Sequence, residues 1–212
     1  MYSILEHYLS TNHILMIGMI VTFILTFFLL EHPFSFLPSD QGRAFAVNGS
    51  LSKGKLRGVG FIFVLCFLIS SVLFLPIDVE YVIYAILLFA MMISGYLDDA
   101  SKTPWNEYKK GLIDLVISVV AVLTYMNFNS TTICFGADEI VIPKALFLIL
   151  GVILIWVSVN VTNCTDGVDG LCASLCSVTL LAFGVLFASV LQKYAMANFL
   201  FLSVLFAYLY FN

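Results

Sequence analysis

Val79–Leu97 reads VEYVIYAILLFAMMISGYL, nineteen residues carrying a single charge, and Asp98-Asp99 follows at once. Coiled as an α-helix at about 1.5 Å per residue, a run of this length crosses a hydrocarbon core of roughly 30 Å. A carboxylate pair at its end then belongs at the interface or in a watered cavity, because an acid at the bilayer centre costs about 2.5–3.5 kcal/mol. Comparable apolar runs recur along the chain: Ile14–Leu30, Gly58–Leu75, Gly111–Asn127, Ala145–Val159, Leu171–Leu191 and Tyr194–Phe211. The expectation is an all-α, polytopic transmembrane helix bundle of about seven spans.

Composition agrees, since 62% of the 212 residues are hydrophobic and 10% charged, far from the balance of a water-soluble domain. With no repeat, low-complexity tract or interdomain linker, residues 1–212 read as one integral membrane domain. The net charge of -4 argues against a nucleic-acid partner, which calls for a concentrated basic surface. Residues 1–12 hold Glu6 and no basic residue, and no small-residue cleavage site follows the first run, so that span is expected to stay as an anchor. The five cysteines, Cys66, Cys134, Cys164, Cys172 and Cys176, have no metal-ligand spacing and read as buried thiols.

Alternate loops share a side of the membrane, so Glu31–Arg57, Asp98–Lys110 and Asn160–Gly170 fall together. They carry Arg43, Lys53, Lys55, Arg57, Lys102, Lys109 and Lys110, leaving only Lys144 and Lys193 of the nine Lys and Arg. Positive residues favour the cytoplasm, which places these loops inside and the N-terminus outside. Glu31–Arg57, with Pro33, Pro38, Gly42, Gly49 and Gly54, is the longest stretch between spans and reads as an active-site loop.

Three polar groups on that side carry chemistry. Asp98-Asp99 is followed by Lys102 and by Lys109-Lys110. Adjacent acids repel and call for a cation or a shared proton, and acids interleaved with ammonium groups suit a metal and a phosphate held together. Ordinary interfacial charge is the plain alternative. Asn160–Gly170, with Asp166 and Asp169, follows the span containing Trp156; it reads either as a turn rich in Asn, Asp, Thr and Gly or as an oxygen-donor loop for metal and diphosphate. Ser52–Gly60 brings Lys53, Lys55 and Arg57 among glycines, which lets backbone approach a ligand closely, although positive-inside bias alone produces a basic flank. It is not a P-loop, since Gly54-Lys55 is followed by Leu56.

Together these segments resemble the polyprenyl-phosphate N-acetylhexosamine-1-phosphate transferases, most of all the branch that acts on muramoyl-pentapeptide. Asp98-Asp99-Ala100-Ser101-Lys102 is similar to the family's Asp-Asp-x-x-Lys motif, and Asn163-Cys164-Thr165-Asp166-Gly167-Val168-Asp169-Gly170-Leu171 to its Asn-Leu-Thr-Asp-Gly-Leu-Asp-Gly-Leu signature. Ser52–Gly60 is similar to its first cytoplasmic loop, with Arg57-Gly58-Val59-Gly60-Phe61 in place of the usual Pro-Thr-Met-Gly-Gly. The resemblance implies a bacterial inner-membrane enzyme with a cytoplasmic site, using Mg2+ to transfer phospho-N-acetylmuramoyl-pentapeptide from UDP to undecaprenyl phosphate, with lipid I and UMP as products. It implies Asp98 as the residue that deprotonates or orients the lipid phosphate, with Asp99 and Lys102 beside it. Asn163 and Asp166 would face metal and diphosphate, Asp169 the uracil, and Lys53 and Lys110 nucleotide or phosphate. A homodimer is left open.

The family's Gly-Asp-x-Gly-Ser motif, with its magnesium aspartate, and its later histidine cluster have no counterpart here; His7, His13 and His32 lie in other contexts. The expectation is an N-terminal portion of the family fold, or a shortened relative, whose 212 residues alone do not turn over substrate. Alternatives are a transferase of UDP-N-acetylglucosamine for other surface polymers, a non-catalytic membrane subunit, and an ion-coupled transporter using the same carboxylates.

Overall fold

The computed structural model describes residues 1–32, 34–39, 54, 56–101, 103, 105–135, 138–165 and 169–211. The described residues form α1 (Tyr2–Tyr8), α2 (Thr11–Glu31), α3 (Gly60–Phe74), α4 (Val79–Ala100), α5 (Glu107–Phe128), a hairpin of β1 (Thr132–Phe135) and β2 (Asp138–Val141), α6 (Lys144–Thr165), α7 (Leu171–Phe187) and α8 (Gln192–Leu209). Each of the seven expected spans coincides with one helix, α2 to α8. Four of them, α2, α4, α5 and α6, are long and apolar enough to cross a membrane; α3 and α7 are shorter, at 15 and 17 residues.

Three details differ from the sequence reading. Helix α1 and the hairpin are additional, too short to register as apolar runs. Helix α6 continues through Asn160 to Thr165, so half of the presumed polar loop is helical. Its polar side chains do not break the helix, because they bond back onto it: Asn160 Nδ2 donates to Trp156 O at 2.8 Å and Thr165 Oγ1 to Val161 O at 2.8 Å. The third difference concerns the cysteines: among those whose side chains are described, Cys66 is buried, Cys172 and Cys176 are half-buried and Cys164 is exposed.

Lipid, not water, is the solvent this surface suits. In α6 only Val152 is buried, while Leu146, Ile149, Leu150, Ile153, Leu154 and Val157 all face outward. Between helices, packing replaces the hydrophobic effect, and small residues set the approach. A Cβ on Gly18 of α2 would lie 3.1 Å from both Leu200 and Phe74, which belong to the core shared by α2, α3 and α8 with Ile14, Phe67, Met196 and Val204. A Cβ on Gly151 of α6 would lie 3.0 Å from Val122 of α5. Tyr125 stacks on Phe147 at 5.6 Å at one end of this pair, and Trp156 Nε1 donates to Gly111 O at 2.8 Å at the other. These contacts fix the rotation of α5 against α6.

At the bundle end that holds the start of α4, Asp78 caps that helix by accepting the Tyr81 N–H at 2.8 Å. Buried Glu80 accepts from Asn129 Nδ2 at 2.7 Å, Tyr194 OH at 3.1 Å and Tyr84 OH at 3.3 Å. Lys193 lies 2.5 Å from Asp78 and 3.8 Å from Glu80, so α4, the end of α5 and the start of α8 are tied through one carboxylate.

Candidate active site

The opposite end collects the end of α4, the start of α5 and the end of α6. The chain leads into α3 there as well: Ser39 bridges to Leu56, Arg57 N–H donates to Pro38 O at 2.7 Å, and Tyr96 OH donates to Phe36 O at 2.8 Å. Gly58 sits against the Tyr96 ring with φ +68°; a Cβ there would both strain the backbone and lie 3.1 Å from the ring. This fit sets Arg57 beside α4, 3.4 Å from Asp99.

Asp98 is held from two sides. Its Oδ2 pairs with the Lys110 ammonium, and its Oδ1 accepts the Trp105 N–H at 2.8 Å, closing the turn between α4 and α5. Lys109 turns away and lies 3.3 Å from the centre of the Trp105 ring, a cation–π contact. Of the adjacent lysines, Lys110 therefore serves the site.

Asp98 and Lys110 line a cavity of about 140 Å³ together with Asn163, Asp114, Ser94, Gly95, Met91 and Val159. Two motifs separated by some 60 residues in the chain thus meet, with Asp98 from one and Asn163 from the other. Asn163 reaches this wall from the last turns of α6, not from a loop. Asp169 lies beyond it, exposed, in the turn that ends at Gly170, whose φ of +73° starts α7. Lys53, Lys102 and Asp166 fall outside the described residues, as does the stretch 40–53 of the expected active-site loop.

Two residues of the site escaped the sequence reading. Arg57 stood in the basic segment but was not singled out, although its charge could have been matched to Asp99. Asp114, within the fourth span and outside every motif, reads from the sequence as a residue whose replacement by Asn leaves the chemistry nearly intact; the structure sets it in the cavity wall, on the face of α5 that it shares with Lys110 four residues earlier.

For magnesium, the oxygen donors in the cavity wall, the Asn163 amide and the carboxylates of Asp98 and Asp114, are of the type that a hard cation prefers. Among the described residues no three acidic, histidine or cysteine side chains converge as a metal cluster.

The described residues thus form a bundle of apolar helices with a carboxylate–ammonium cavity at one end. The sequence profile described as Glycosyl transferase family 4 matches residues 81–212, and the chain belongs to that family. It is 34% identical over 189 residues to the phospho-N-acetylmuramoyl-pentapeptide-transferase of Treponema pallidum subsp. pallidum, and equally to that of the Nichols strain of Treponema pallidum. These alignments cover 87% of this chain and 52% of each relative, so the chain spans about half the length of the curated relatives it matches.

Proposed function

We propose that the protein transfers phospho-N-acetylmuramoyl-pentapeptide from its UDP carrier to undecaprenyl phosphate, giving lipid I and UMP at the cytoplasmic face of a bacterial inner membrane. The observation that carries this reading is the meeting of Asp98, Lys110 and Asn163 around one cavity, with the Arg57–Asp99 pair beside it. The name of the two relatives supports the choice of sugar.

In the reaction an oxygen of the lipid phosphate attacks the phosphorus bonded to the sugar. The bond from that phosphorus to the bridging oxygen breaks, and UMP leaves with that oxygen. Such a transfer depends on positioning and charge neutralisation more than on covalent help from the protein. Asp98 takes the proton of the lipid phosphate monoanion or orients the dianion, and Lys110 and Arg57 supply positive charge to phosphate oxygens. Magnesium, when bound, offsets the charge that builds on the diphosphate; Asn163 would hold it together with Asp166. Asp169, exposed in the turn before α7, is assigned to the uracil.

The direct test is turnover in membranes from cells expressing the whole gene, given radiolabelled UDP-N-acetylmuramoyl-pentapeptide or UDP-N-acetylglucosamine with undecaprenyl phosphate. Label should pass to lipid from the muramoyl substrate. Transfer from UDP-N-acetylglucosamine alone would replace the sugar assignment, and no transfer from either would refute the enzyme reading.

Asp169→Asn should raise KM for the UDP-sugar about 10-fold or more while changing kcat less, since hydrogen bonds to a charged group are worth about 1.5–3 kcal/mol and this one is shared by ground and transition states. A fall in kcat at constant KM would place Asp169 in the chemical step instead. Orientation is tested with single cysteines in a background without native ones. Those at Ser101 and Thr165 should react with an impermeant maleimide only from the cytoplasm, and one at Ser130 only from outside; the reverse pattern would invert the topology.

A further inference from the structure

Asp114 has no role in the mechanism above, yet it stands in the cavity wall one helical turn from Lys110. The wall it shares with Asp98 and Lys110 also holds Met91, Ser94, Gly95, Val159 and Asn163. Among the described residues no donor bonds its carboxylate oxygens; the hydroxyl of Ser118 bonds its backbone carbonyl, at 2.7 Å. The cation whose field reaches it is Lys110, and Lys110 is engaged by Asp98. Two half-buried carboxylates thus share one ammonium, which pairs closely with only one of them at a time.

We propose that Asp114 is a positioning residue for Lys110, the alternative carboxylate to which the ammonium moves when Asp98 meets the lipid phosphate. This rests on the transferase reading. With Lys110 on Asp98, as in the structure, that carboxylate is closed to a second partner: one oxygen holds the ammonium and the other the Trp105 N–H. With Lys110 turned one helical turn along α5, Asp98 Oδ2 opens toward the cavity and the ammonium stays in it, near enough to meet an incoming phosphate oxygen. The lysine stem has the rotamer freedom for this, and the cavity provides the space. Without Asp114 the ammonium, half-buried, has a single resting partner, and opening Asp98 means leaving Lys110 unpaired.

The test compares Asp114→Asn, Asp114→Glu, Lys110→Met and the Asp114→Asn/Lys110→Met double variant in the enzyme expressed from its whole gene. Asp114→Asn should lower kcat about 10- to 100-fold, the scale of a misplaced catalytic group, with KM for the UDP-sugar within about threefold. Asp114→Glu, which keeps the charge, should recover most of the loss. In the Lys110→Met background Asp114→Asn should have little further effect on kcat. Thermal unfolding of the same four proteins reads the pairing without turnover: Asp114→Asn should shift Tm differently in the two backgrounds, because its partner is present in only one. A kcat within twofold of the unmutated enzyme, or equal Tm shifts in both backgrounds, would overturn the proposal. Lack of turnover by the unmutated enzyme would instead refute the transferase reading, and the Tm comparison would still decide whether Asp114 and Lys110 are coupled.

Discussion

Asp98→Asn is expected to lower turnover by about 100-fold or more, in line with typical acid–base contributions, while nucleotide binding changes little. Asparagine keeps the shape of the side chain and can still accept the Trp105 N–H, so the turn between α4 and α5 stays closed. It removes the negative charge that pairs with Lys110 and the basicity assigned to the lipid phosphate step. The loss should therefore appear in kcat, with KM for the UDP-sugar nearly unchanged. Asp138→Asn is the matched control: it makes the same chemical change on an exposed strand of the hairpin, at the other end of α5. Thermal unfolding of both variants guards against a folding defect. Near-normal kcat for a folded Asp98→Asn enzyme would remove Asp98 from the mechanism.

At the other end of the bundle the large effect should be on stability. Glu80→Ala strips one carboxylate that accepts from Asn129, Tyr194 and Tyr84 and lies near Lys193. Removing one partner from a buried ionic cluster costs about 3–5 kcal/mol, because the groups left behind have lost their hydration and gained nothing. Glu80→Gln keeps an acceptor oxygen and should cost less. Melting in detergent checks the order, and an alanine variant that melts with the wild type would show that the cluster is solvated. Asp78 adds a pH dependence. Partial burial pushes its carboxyl up, but the Lys193 ammonium and the Tyr81 N–H outweigh this and hold it below the usual range. A lowered folded value means that its contribution is complete above its ordinary pKa of about 3.9 and fades as pH falls through the lower, folded one. Asp78→Asn should flatten the acid limb of the stability curve in that window, and an unchanged limb would assign the acid sensitivity to other groups.

Sequence alone determined that α2 to α8 exist and roughly where each begins and ends. Long apolar runs leave the backbone no partner in hydrocarbon other than itself, so run length translates directly into helix. The motifs likewise marked Asp98, Asp99 and Asn163 as candidate site residues, through their resemblance to the family's signatures. Short elements were not legible: α1 and the hairpin have too few residues for a periodic signal, and Asn160 to Thr165 read as a turn because back-bonding to α6 is invisible in composition. Only the tertiary structure showed that Lys110 meets Asp98, that Arg57 pairs with Asp99, and that Asp114 shares the cavity. These choices depend on the rotation of α5 against α4 and α6, and that rotation is set by contacts remote in sequence, Trp156 on the Gly111 carbonyl and Val122 against Gly151. A helix presents a new face every 100° or so per residue, so the pattern of one helix cannot say which side its neighbours will read.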